Sequence, residues 1–131
     1  EAILLREGAG GERTLSEGAL TNVLIVTEQG ELVTPPLESG AVLPGITREI
    51  LLDLDPSIRQ GQVTESQLRS AREVMLLGTT ASVTAVTNLD GHAISGGTPG
   101  PQAKRLATLL ARAVVEGRDD IQSADINDGG R

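Results

Sequence analysis

Leu43-Pro44-Gly45-Ile46-Thr47-Arg48 sets a proline and a glycine directly before a segment with helical apolar spacing. Ile46, Ile50, Leu51 and Leu54 fall on one helical face, which predicts an amphipathic helix starting near Ile46. Asp55-Pro56 disfavours continuation, so the helix should end by Leu54. The first N–H groups of a helix have no intrahelical acceptor, and the helix dipole makes that end attractive to anions. The backbone N–H groups of Ile46 and Thr47 are therefore candidate phosphate ligands. A proline-glycine pair before a helix is also an ordinary turn, so the stretch gains meaning only from its surroundings.

Upstream, Asn22 to Val26 and Glu31 to Thr34 read as two strands around a Glu28-Gln29-Gly30 turn, which makes a hairpin that Pro35-Pro36 terminates. Ala2-Ile3-Leu4-Leu5 reads as a short buried strand, and Glu7 to Thr14 as a glycine-containing loop. Downstream, Gln62-Val63-Thr64 is a candidate strand and Glu65 to Arg72 a short helix. Val74–Leu77 and Ser82–Thr87 read as core strands, and Asn88-Leu89-Asp90-Gly91 turns back toward His92-Ala93-Ile94. Leu106, Leu109, Leu110, Ala113 and Val114 form an apolar stripe on a C-terminal helix. From Arg118 onward no stripe is visible, so residues 118–131 are expected to form a frayed tail after a domain spanning 1–117.

Composition narrows the function. A chain of 131 residues buries about two-thirds of its unfolded surface, enough for one domain. The net charge of −7, with one lysine and scattered arginines, gives no basic stripe and argues against nucleic acid or an anionic membrane as partner. No apolar run approaches about eighteen residues and no export signal is visible, so a cytoplasmic setting is expected. The absence of cysteine and the single histidine, His92, leave few parts for a zinc site or a serine triad.

Three blocks now combine. Ser16-Glu17-Gly18-Ala19-Leu20-Thr21-Asn22-Val23-Leu24-Ile25-Val26 leads into Glu31-Leu32-Val33-Thr34-Pro35-Pro36-Leu37. The Leu43–Arg48 stretch follows, and then Glu73-Val74-Met75-Leu76-Leu77-Gly78-Thr79-Thr80-Ala81-Ser82-Val83-Thr84-Ala85-Val86. In this order and spacing they resemble the C-terminal half of the fold-type IV pyridoxal-phosphate enzymes, over about Glu1 to Leu109. That family includes branched-chain aminotransferase, D-amino acid aminotransferase and aminodeoxychorismate lyase. The resemblance implies an α+β fold, the cofactor-binding domain of the D-amino acid aminotransferase type, with a mixed or antiparallel sheet or pseudobarrel flanked by helices. Family members usually run the helix after Gly45 about a turn further than this chain does.

The resemblance also implies site roles, all toward pyridoxal 5′-phosphate. Such catalysis needs a lysine to carry the cofactor, a group that keeps the pyridine nitrogen protonated, and an anion cradle. Glu17 would be the carboxylate facing the ring nitrogen. Ile46 and Thr47 would bind the phosphate through backbone N–H groups, with the Thr47 hydroxyl as a further donor. Thr79 would add a hydroxyl and an N–H, with Thr80 beside it, and Leu43 would pack on one ring face. Arg48 is expected to pair with a neighbouring carboxylate. The carrier lysine would lie before the residues matching Glu1-Ala2-Ile3-Leu4-Leu5, so no catalytic residue is assigned within this chain. Lys104 falls on the solvent side of its helix, and His92 is expected to be exposed.

The implied reaction is amino-group transfer between an amino acid and a 2-oxo acid, performed by a parent enzyme, with a homodimer and a separate N-terminal half as partners. Glu17-Gly18 and Gly78-Thr79 resemble the aminotransferase versions more than the aminodeoxychorismate lyase ones. Without the lysine this chain alone would be inactive. Two rival readings are a non-catalytic scaffold and a simple phosphate-binding module. The chain contains no Phe, Trp or Tyr and begins at Glu1. At Leu24, Val33 and Met75 the family commonly has aromatics. Either a deliberately aromatic-free sequence or a partial natural chain accounts for this.

Overall fold

The computed structural model describes residues 1–39, 42–78, 80 and 82–128, with residues 39 and 118–128 described by backbone alone. Strands β3 (Asn22–Val26), β4 (Leu32–Thr34), β5 (Arg59–Gln60), β6 (Glu73–Gly78) and β7 (Ser82–Ala85) form a five-stranded sheet in the order β5-β4-β3-β6-β7. Its pairings are antiparallel except for β4 with β5, so the sheet is mixed. Strands β1 (Ile3–Glu7) and β2 (Arg13–Gly18) form a separate antiparallel ribbon, and β8 (Asn88–Leu89) pairs with β9 (His92–Ala93). The helices are α1 (Ile46–Leu54), α2 (Glu65–Arg69) and α3 (Pro101–Asp128).

The core has two layers separated by the sheet. Leu24, Met75 and Leu77 project to one side and pack with Leu51 of α1 and Ala103, Leu106 and Leu110 of α3. Val23, Ile25, Val33 and Val74 project to the other and pack with Leu15 of β2 and Leu68 of α2. Strand β3 is therefore buried along its whole length, which explains why Asn-Val-Leu-Ile-Val shows no polar alternation. Leu24, Val33 and Met75, the three positions where aromatics were expected, are all fully buried, and aliphatic neighbours fill the space around them.

The hairpin of β3 and β4, the extent of α1 and the stripe of α3 match the sequence reading. Several expectations need correction. β1 is a strand but only half-buried, because it forms the outer strand of a two-stranded ribbon. Arg13 and Thr14 belong to strand β2 rather than to the loop expected over Glu7 to Thr14, and Glu17 sits on the same strand. Gln62–Thr64 is not a strand: Val63 accepts a single bond from Leu15 N–H at 2.7 Å, and Thr64 caps α2 in a reciprocal capping box with Gln67. That helix stops at Arg69, short of Arg72. β7 ends at Ala85 and is half-buried, as an edge strand should be. The backbone of α3 stays helical to Asp128, beyond the expected end at Gly117, while residues 129–131 lie outside the described residues.

The inward face of α1 also differs. Thr47, Arg48 and Leu51 are buried, whereas Ile46 is 74% exposed and Leu54 is at the surface. Among the described residues Arg48 pairs with no carboxylate. Its Nη2 donates to the Pro35 carbonyl at 3.1 Å and to Gln60 Oε1 at 2.7 Å, and its Nε is buried without a partner. Burial pulls this guanidinium below its usual range, an effect that Glu49 and Glu38 oppose. A long cation at an apolar helical position is invisible to periodicity, because neutral carbonyl and amide acceptors are supplied by distant segments.

Two carboxylates fasten the helices. Glu73, buried at the start of β6, accepts from Gln102 N–H at 3.1 Å and Ala103 N–H at 3.0 Å, so it caps the first turn of α3 from the sheet. Gly100 allows this approach, since a Cβ there would lie 2.3 Å from Glu73 Cδ. Asp55, just past α1, accepts from Arg105 Nη2 of α3 at 2.6 Å and from Ser57 Oγ at 2.6 Å.

Burial is the largest influence on Asp55 and raises its pKa, but the bonds from Ser57 and Arg105 outweigh it and the net shift is downward. A lowered folded-state pKa means that the charged form stabilises the fold above the ordinary value of 3.8 and that this contribution is lost as pH falls through the lower folded value. Asp55→Asn is therefore expected to flatten the acid limb of a Tm-against-pH profile below about pH 4. An unchanged slope would remove Asp55 from the acid response.

Candidate functional site

The end of β2, the turn that follows it and the start of α1 meet in a cleft of about 250 Å³. It is lined by residues 17–22, Leu43, residues 45–47, Leu77 and Gly78. Glu17, Leu43, Ile46 and Thr47, four of the residues singled out from the sequence, thus share one site. Thr80 is exposed in the β6–β7 connection and does not line the cleft. Thr79 lies outside the described residues. Lys104 and His92 are exposed, as expected.

Glu17 is placed by its strand. β2 pairs with β1, and Glu17 Oε2 accepts from Leu43 N–H at 2.9 Å. The turn after β2 closes with Gly18 N–H donating to Thr21 C=O at 2.8 Å, and Glu1 holds it from outside by accepting from Leu20 N–H and Thr21 Oγ1. Those bonds, led by that from Leu20, keep the Glu1 carboxyl below the usual carboxylate range.

The anion end of the cleft is the first turn of α1. Gly45 is the N-cap residue and makes no side-chain cap, so the leading N–H groups are not satisfied by the usual serine, threonine or aspartate device. The Thr47 hydroxyl donates to the Gly78 carbonyl, which joins α1 to the end of β6. A hydroxyl has one proton, so in this arrangement Thr47 offers the cleft its N–H rather than its O–H. Among the described residues no lysine or arginine lines the cleft, so the helix terminus is its source of positive potential. Leu20 (82% exposed), Leu43 (70%) and Ile46 give the site a bare apolar rim.

Asn22 was not singled out from the sequence as a site residue. Buried at the head of β3, its Nδ2 donates to the Leu43 carbonyl at 2.9 Å. An amide opening an otherwise apolar strand was the available signal, because a buried amide must find partners.

A carboxylate and an uncapped helix terminus thus share one partly apolar cleft. The family model for amino-transferase class IV matches residues 1–89. The chain belongs to the class IV aminotransferase family. It is 36% identical over 119 residues to the D-alanine aminotransferase of Bacillus licheniformis, covering 88% of this chain and 40% of that protein. It is 38% identical over 96 residues to the branched-chain-amino-acid aminotransferase of Escherichia coli K12, covering 70% of this chain and 30% of that enzyme. A solved branched-chain amino acid aminotransferase from Thermobaculum terrenum, in its PLP form, superposes with a TM-score of 0.71 at 30% identity, over 88% of this chain and 38% of that one. The chain therefore spans two-fifths or less of the length of each of these class IV relatives. Their shared α+β architecture agrees with the sheet and helices described here.

Among the described residues no cluster of three His, Asp or Glu side chains could hold a metal ion, and no helix is long and apolar enough to cross a membrane.

Proposed function

We propose that this chain is the cofactor-holding half of a pyridoxal 5′-phosphate-dependent aminotransferase, which transfers an amino group between an amino acid and a 2-oxo acid. The observation that carries the reading is that Glu17 and the uncapped first turn of α1 line one cleft. When bound, pyridoxal phosphate supplies an electron-withdrawing ring that acidifies the substrate Cα–H. The Glu17 carboxylate accepts a hydrogen bond from the protonated ring nitrogen and favours that form. The N–H groups of Ile46 and Thr47 receive the phosphate, and Leu43 covers a ring face. The proton-transferring lysine is assigned to the other half of the longer enzyme, since Lys104 is exposed on α3 and does not line the cleft. The bare rim of Leu20, Leu43 and Ile46 fits closure by that half, and a homodimer is the assembly we assign to the whole enzyme. The relatives named above, one a D-alanine and the others branched-chain enzymes, favour transamination over the lyase reaction.

One carboxylate and a few backbone contacts, at about 1–3 kcal/mol each before the entropy of immobilisation, give this chain an affinity for the cofactor near the millimolar range. Pyridoxine 5′-phosphate, which lacks the aldehyde and cannot condense with stray amines, is the appropriate probe. Titration followed by amide NMR should shift Ile46 and Thr47, and Glu17→Ala should weaken binding about tenfold. A Glu17→Ala chain that binds as well as the original would sink the ring-nitrogen assignment. Supplying the lysine-bearing half in trans with pyridoxal phosphate should produce a visible absorbance band, and its absence would favour a scaffold without chemistry.

A further inference from the structure

Leu43 is held at both of its backbone groups by side chains from two different strands. Its N–H donates to Glu17 Oε2 at 2.9 Å, and its carbonyl accepts from Asn22 Nδ2 at 2.9 Å. The same carbonyl accepts from Gly45 N–H at 2.9 Å, which closes a three-residue turn over Pro44 and delivers the chain into α1. Asn22 also abuts that turn directly, because a Cβ on Gly45 would lie 2.0 Å from Asn22 Oδ1. Behind it the anchor is firm: Asn22 is 5% exposed, faces Leu77 in the β3–β6 register and opens a strand buried on both sides.

We propose that Asn22 is a positioning residue for the anion cradle. Its amide fixes the Leu43 carbonyl and, through the Leu43–Gly45 turn, the direction in which the Ile46 and Thr47 N–H groups point. The clamp also links the two ends of the cleft, because the residue Asn22 holds by its carbonyl is the one Glu17 holds by its N–H. Without the Asn22 bond Leu43 is still held at its N–H by Glu17, so the ring end is disturbed less than the phosphate end, where helix-terminal donors bind an anion only when they converge on it. This role in the cradle rests on the cofactor reading.

The test compares pyridoxine 5′-phosphate with pyridoxine, the same ring without phosphate, on the original chain, Asn22→Ala and Asn22→Asp, with amide hydrogen exchange measured on all three. Asn22→Asp keeps the shape, loses the donor and guards against a poorly packed alanine variant. Both variants should bind the phosphorylated ligand about tenfold more weakly, leave pyridoxine within about twofold, and exchange the Gly45 amide faster while Val23 to Val26 stay protected. A preserved preference for the phosphorylated ligand in both variants would overturn the proposal. So would loss of protection across the whole sheet with equal weakening of both ligands, which marks a general core residue. If the original chain itself ignores the phosphate, the cofactor reading fails; the Gly45 exchange rate then decides the clamp alone, faster exchange in the variants supporting it and unchanged exchange refuting it.

Discussion

Glu73→Ala is expected to lower the unfolding free energy by about 3 kcal/mol. The carboxylate is buried and satisfies two N–H groups in the first turn of α3, those of Gln102 and Ala103. Hydrogen bonds to a charged acceptor contribute about 1.5–3 kcal/mol each, and their loss leaves both donors facing a cavity on the side of the sheet. Ordinary N-caps span three residues; this one spans nearly thirty, so it fastens α3 to β6 as well as ending the helix. Glu73→Gln should show a smaller loss, because one amide oxygen still accepts while the NH₂ group confronts the second donor. Urea denaturation with a constant m value measures both variants. A midpoint for Glu73→Ala indistinguishable from that of the original chain would mean that water caps α3 equally well.

Leu51→Ala should cost a similar amount, about 3 kcal/mol, through lost transfer energy and the cavity left behind. Leu51 is fully buried and packs into the layer shared by β3, β6 and α3. Ile46→Ala provides the contrast: the Ile46 side chain is mostly in solvent, so its truncation should stay within about 0.5 kcal/mol of the original stability. The two variants separate the inward face seen in the structure from the one that apolar spacing predicts. Comparable losses at both positions would restore the predicted face. Because α1 presents the N–H groups of the cleft, Leu51→Ala should also lower the temperature at which the phosphorylated ligand still shifts Ile46 and Thr47, in step with Tm.

Much of the site was legible because its parts are backbone features with short-range sequence causes. Pro44-Gly45 fixes where α1 begins, Asp55-Pro56 fixes where it ends, and both boundaries are seen. Glu17 could be singled out by its block, yet its strand could not, since Arg-Thr-Leu-Ser-Glu-Gly carries little apolar content and forms β2 only because β1 and Val63 supply partners. The Thr47 hydroxyl illustrates the same limit: its type predicts a donor, but only the approach of the β6 end reveals that the Gly78 carbonyl accepts its hydrogen bond.

What the sequence alone determined was local: the β3–β4 hairpin, the length of α1, the apolar stripe of α3 and the ordered blocks that place the chain among the class IV aminotransferases. The hairpin, the helix and the stripe depend on periodicity, proline and glycine, whose effects act over a few residues, whereas the family placement rests on the resemblance of the ordered blocks. The tertiary structure decided the rest: that Arg48 is buried against Pro35 and Gln60, that Glu73 caps a distant helix, and that Asn22 and Glu17 hold Leu43 between them. Arg48, Glu73 and Asn22 are polar side chains buried against partners far away in sequence, and Glu17 is a half-buried one. Such a group is stable only where the fold delivers that partner, so its role appears only once the chain is assembled.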